Sequence, residues 1–178
     1  LSLRETELIL GSLHVNERPL KDELEAQSLG NATNYLYDLI SGNEPLTKRT
    51  LLEIHGLILE KISDRDAGIF RKADVAISGA DHKPPSFMHV EEDVDEMFRW
   101  INRNVHQYDP IVSAAILHHW ITWIHPFIDG NGRVSRLFLN FFLLQKGYPE
   151  IIIKIGDRDT YYQALASADN GDISPLVE

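Results

Sequence analysis

The sequence predicts an all-α fold with one small β-hairpin flap, and three observations carry that expectation. Apolar residues recur at helical spacing through most of the 178 residues. Residues that cap or stop helices sit at the ends of those stretches. One segment, 73–88, breaks the period with β-branched residues around Gly79 followed by Pro84 and Pro85.

Taken in order, Tyr35, Leu36, Leu39 and Ile40 form an apolar stripe that ends at Gly42, a residue suited to a left-handed helix end. Thr47 can cap the next helix, whose inner face is Leu51, Ile54, Ile58 and Ile62. After the flap, Val90, Val94, Met97 and Ile101 repeat at helical spacing, with Glu91, Glu92, Asp93, Asp95 and Glu96 facing water. Asp109-Pro110 places a cap and a first-turn proline before a strongly apolar helix through Ile116, Trp120 and Ile124. Beyond a loop at 125–132, Leu137, Phe141 and Leu144 make another buried stripe, closed by Gly147 and Pro149. A last helix runs from near Asp159 to near Gly171, and the residues from Ser174 to Glu178 read as a helix stopped early.

Composition narrows the classes. Apolar residues make up 43% of the chain and charged residues 25%, the balance of a globular domain rather than a disordered one. With no cysteine, thiolate chemistry and cysteine-built zinc sites are excluded, and a reducing, cytoplasmic setting is expected. The formal net charge of −10 opposes nucleic acid and anionic lipid, which bind through clustered Lys and Arg. No apolar run approaches the ~20 residues that span a bilayer. The first residues carry neither an initiator Met nor a signal-peptide pattern, as a piece of a longer protein would.

The chemistry concentrates in His125-Pro-Phe-Ile-Asp-Gly-Asn-Gly-Arg-Val-Ser-Arg136. Gly130, Asn131 and Gly132 form a turn whose backbone N–H groups can converge on an anion, and the helix that follows adds the positive end of its dipole. Arg133 and Arg136 share a face of that helix and can both grip phosphate oxygens, so a triphosphate is the natural ligand. Asp129 would repel those phosphates unless a hard cation such as Mg²⁺ (or Mn²⁺) sits between them. His125 titrates near neutrality when unperturbed and can accept a proton, so this constellation implies nucleophilic attack on phosphorus. Each feature has a plainer explanation: a common turn, a helix cap at Asp129, surface ion pairs for the arginines, a structural histidine. All of these would have to hold together within twelve residues.

The segment resembles the signature of the Fic family, His-Pro-Phe-x-Asp/Glu-Gly-Asn-Gly-Arg-x-x-Arg, matched at every specified position. Gly68-Ile-Phe-Arg71, Pro84-Pro85, Tyr161-Tyr162 and Gly171-Asp172 follow in the family's order. The resemblance implies a Fic-type helical bundle over 46–178, preceded by an N-terminal helical segment over 1–45. It implies AMPylation, in which a Ser, Thr or Tyr hydroxyl of a target protein attacks ATP and pyrophosphate leaves. In those terms His125 resembles the general base and Asp129 the Mg²⁺ ligand. Gly130, Asn131 and Gly132 resemble the phosphate cradle, Arg133 and Arg136 the grips on the β- and γ-phosphates, and Phe127 a buried anchor. Tyr161 and Tyr162 resemble residues beside the adenosine. Val75, Ala76, Ile77, Ser78 and Gly79 resemble the flap that aligns a target by strand pairing, the target being another protein or the chain itself.

Gly130 also separates the sequence from the Doc-type branch, where lysine stands there and phosphate is transferred. Two departures from the family pattern stand out. In the frame Thr6-Glu-Leu-Ile-Leu-Gly11, Leu10 takes the place of the family's inhibitory Glu, which implies a form without intramolecular inhibition. Asp169 takes the place of an Asn near the adenine, which leaves base selectivity open. Removal of AMP from a modified protein, and nucleotide binding without turnover, are the competing readings. His118 and His119 read as core hydrogen-bonding residues, and His55, His82, His89 and His106 show no metal-ligand spacing.

Overall fold

A computed structural model describes residues 20–178, and the Thr6–Gly11 frame lies outside them. The helices are α1 (Leu20–Ser41), α2 (Lys48–Leu59), α3 (Val90–Asn104), α4 (Pro110–Ile124), α5 (Asn131–Gln145), α6 (Arg158–Asp169) and the short α7 (Ser174–Val177). A 3₁₀ turn at Ile155–Asp157 leads into α6.

The caps follow from the sequence. Thr47 is extended and its side chain accepts from the Thr50 N–H, and Asp109 accepts from the Ile111 N–H with Pro110 in the first turn. Lys48 ties α2 to α3 by reaching Glu91 at 3.1 Å and Asp95 at 2.8 Å.

Helices α4 and α5 form the most extensive helix pair, with α1, α2 and α3 packed around them. The buried set joins Leu51, Ile54 and Ile58 of α2 to Val94, Met97 and Ile101 of α3. It continues through Leu117, Ile121 and Ile124 of α4 and Val134, Phe138 and Phe141 of α5. The inward face of α4 therefore centres on Leu117 and Ile121, with Ile116 and Trp120 only half-buried at its margin. None of the described helices is long and apolar enough to cross a membrane.

The expected β-hairpin is not formed: no strand occurs among the described residues. Residues 74–77 have no regular structure and a turn follows at 78–79, and the returning limb contains Pro84 and Pro85, which have no N–H to donate to a ladder. Other bonds hold the segment. The Phe87 N–H donates to Asp74 at 2.7 Å, and His82 Nε2 donates to the Trp123 carbonyl at 2.9 Å while its ring lies 5.2 Å from the Trp123 indole.

Phe141 is fully buried and Tyr162 is half exposed. Phe141→Ala is expected to cost about 3–5 kcal/mol in urea unfolding and Tyr162→Ala about 0.5 kcal/mol or less.

Candidate active site

The site is assembled where α4 ends. His125 caps α4 in the left-handed conformation, with φ of 50°. A non-glycine residue reaches that region only when its surroundings fix it. Its N–H still closes the last turn on Ile121, and Pro126 bars further helix. Arg71 fixes the exit: its N–H donates to the Pro126 carbonyl and its Nε to the His125 carbonyl, each at 2.9 Å. The same guanidinium donates to the carbonyls of Ala73 and Pro85, the two ends of the flap, and more weakly to Ile124. This cation is 3% exposed, and burial lowers its pKa against the opposing charges of Asp74 and Asp93.

His125 Nδ1 faces the Thr122 carbonyl at 3.3 Å. A proton donated there leaves Nε2 as the ring's acceptor. Burial, opposed by the hydrogen bond to Thr122 and joined by the Arg71 charge, lowers its pKa below the ordinary histidine value. The ring is therefore neutral at pH 7 and equipped to take a proton.

Beyond it the loop folds on itself. The Asn131 side chain accepts from the Phe127 N–H at 2.9 Å and donates to the Phe127 carbonyl at 2.8 Å. That side chain is turned inward, so what Asn131 offers an anion is its backbone N–H. Phe127 is fully buried and stacked on His55, with ring centroids 3.6 Å apart and planes 6° from parallel. Gly130 has φ of 82°, which only glycine adopts readily, and α5 begins at the next residue. The amides of Gly130, Asn131, Gly132 and Arg133 thus belong to a helix start, where they have no intrahelical acceptor.

Arg133 Nη2 lies 3.4 Å from Asp129 Oδ1, and its Nη1 lies 3.7 Å from Glu25 Oε2 of α1. Arg136 folds back over Gly132, where a Cβ would stand 3.2 Å from its Nη1. Both arginines line a cavity of about 230 Å³ with Leu29 and Thr33 of α1 and Glu150. Asp129 is more than half exposed, and Gly130 N–H donates to its carboxylate at 2.6 Å. No group of three His, Cys, Asp or Glu suited to a metal occurs among the described residues. A single exposed carboxylate beside the start of a helix fits Mg²⁺, which draws its other ligands from phosphate and water.

The tyrosines separate. Tyr161 hydroxyl bonds to His118 Nε2 at 2.9 Å and to Arg136, and burial raises its pKa while Arg136 opposes the rise. Tyr162 is exposed beneath the Arg158 guanidinium, 5.4 Å from the ring centre. Asp169 is engaged by His119 at 2.9 Å. Along the flap, Val75 and Ile77 are half-buried while Ala76, Ser78 and Gly79 are exposed. Sequence reasoning attached no role to His55 or Arg71. The available signals were a histidine on the apolar face of α2 and an arginine beside Phe70.

The comparisons agree with one another. The family model described as Fic/DOC family matches residues 45–143. A protein adenylyltransferase Fic of Nematostella vectensis is 36% identical over 86% of this chain, and one of Aedes aegypti is 34% identical over 99% of it. In both cases this chain spans 36% of the relative's length. The solved structure of Fic-1 from C. elegans superposes over 99% of the chain with a TM-score of 0.90 at 30% identity, and the match takes in 53% of that protein's chain.

Burial holds both His55 and His118 neutral down to about pH 4, whereas in the unfolded chain each binds a proton near pH 6.5. Their contribution to stability is fully present above pH 6.5 and is lost as pH falls from there towards 4. Urea midpoints measured across that window should decline, and the decline should shrink in His118→Phe.

Proposed function

This chain belongs to the Fic/DOC family, and we propose on that footing that it transfers AMP from ATP to a hydroxyl side chain of a target protein. The observation that supports this most is the state of His125: neutral, with Nδ1 turned to Thr122 and Nε2 left to accept, at the mouth of a helix-start anion site.

In the reaction the target hydroxyl attacks the α-phosphorus of ATP. A new O–P bond forms, the bond from the α-phosphorus to the bridging oxygen breaks, and pyrophosphate leaves. The hydroxyl proton passes to His125 Nε2. The helix-start amides around Gly130 and Gly132 bind phosphate oxygens, and Arg133 and Arg136 hold the outer phosphates. Mg²⁺ bound at Asp129 would neutralise charge on the polyphosphate. Tyr161 lies beside this site and carries the adenosine contact, while Tyr162 faces solvent. The run from Val75 to Gly79, exposed at Ala76, Ser78 and Gly79, aligns a target segment by backbone pairing, although it does not itself form a hairpin.

AMP removal and inert binding are less well supported. Binding alone needs no histidine held in a left-handed conformation with a free ring nitrogen. The frame at Leu10 lacks the carboxylate that the removal reaction uses to position water.

His125→Ala should abolish labelling from α-labelled ATP while changing nucleotide affinity less than about 3-fold. Retained labelling would remove His125 from the mechanism. Arg136→Ala should raise the KM for ATP, and an unchanged KM and kcat would remove its phosphate role. The acid limb of kcat/KM should lie below pH 6.5, because burial and the Arg71 charge lower the His125 pKa.

A further inference from the structure

His55 is fully buried on α2, far in sequence from the loop, yet it touches that loop in three ways. Its Nδ1 accepts from the Gly68 N–H at 3.0 Å, which fixes the tautomer with the proton on Nε2. Nε2 donates to the Asp129 carbonyl, also at 3.0 Å. The ring face lies on Phe127, and a Cβ on Gly130 would stand 3.4 Å from its Cδ2 and Nε2.

A trans peptide points its C=O and its N–H in opposite directions. A donor that holds the Asp129 carbonyl towards α2 therefore turns the Gly130 N–H away from α2, out of the loop. This amide now meets the exposed Asp129 carboxylate, so it faces the side on which an anion arrives. Glycine at 130 makes the peptide easy to flip, since both signs of φ are open to it. Without a hydrogen bond to the carbonyl, the flipped loop would turn an oxygen towards the phosphates.

The geometry points to His55 as the positioning residue of the anion loop: its Nε2–H locks the Asp129–Gly130 peptide with the Gly130 N–H aimed at the nucleotide's phosphates. The inference rests on the nucleotide reading above for its ligand, but the orientation of the peptide can be read without activity.

The test compares the chain with His55→Gln and His55→Phe. Glutamine can place an amide N–H near the position of Nε2, while phenylalanine keeps the ring against Phe127 and removes both hydrogen bonds. Two quantities are measured: the Gly130 amide resonance in ¹⁵N spectra, and the affinity for ADP with Mg²⁺ by calorimetry. In His55→Phe the Gly130 resonance should shift or split, and ADP affinity should fall about 10-fold, the scale of losing an outer partner of a binding group. His55→Gln should stay within about 3-fold of the parent in affinity and keep one Gly130 resonance, a rescue that a purely space-filling histidine would not give.

If His55→Phe binds ADP like the parent with Gly130 unmoved, or if glutamine fails where phenylalanine succeeds, the inference is overturned. Should His55→Phe not fold, His55→Gln decides alone, and loss of its affinity or of the single Gly130 resonance counts against the inference. A parent chain that binds ADP but transfers no AMP overturns the proposed function and leaves this comparison intact. A parent that binds no ADP leaves the decision to the Gly130 resonance.

Discussion

The buried guanidinium of Arg71 is the junction on which the site depends. It is a full charge almost without water, and it remains tolerable because Ile124, His125, Ala73 and Pro85 all turn carbonyl oxygens towards it. Two of those carbonyls end α4 and two bracket the flap. A single side chain thus sets the exit angle of the helix, the left-handed turn at His125 and the separation of the flap's ends. Lysine would not do the same, having one compact charge instead of a planar fork of five donors.

The helices were legible because they rest on local rules. Thr47, Asp109 and Pro110 cap where the sequence says they should, and the stripes through Leu51, Val94 and Phe141 are buried. The misreadings have physical causes. The flap combined β-branched residues with a turn, but the proline pair removed donors that a ladder needs. On α4 apolar residues occupy most of the circumference, so the sequence left its face open, and the structure buries Leu117, Ile121 and Ile124. The loop from His125 to Arg136 announced itself by residue type. Its supports did not, since His55 and Arg71 act over sequence separations of 74 and 54 residues. Nothing local to either position discloses such a partner. The inward turn of the Asn131 side chain was equally hidden, because an asparagine between two glycines reads as part of the turn.

Electrostatics divide the site in two. One set is neutral: His55 and His118 are held uncharged by burial, and burial with the Arg71 charge lowers His125. The other set is Arg133 and Arg136 at the start of α5, where the helix dipole adds to their charge. A neutral His125 therefore adds no charge to that of the two arginines.

The pair of hydrogen bonds between the Asn131 side chain and the backbone of Phe127 closes a five-residue ring. The shape of this loop is thus settled during folding, and its conformational entropy is lost there, not on association. Ligand encounter is then a docking onto a finished surface. For the proposed anion its speed would follow diffusion and the field of the two arginines, not the time a loop takes to find its form.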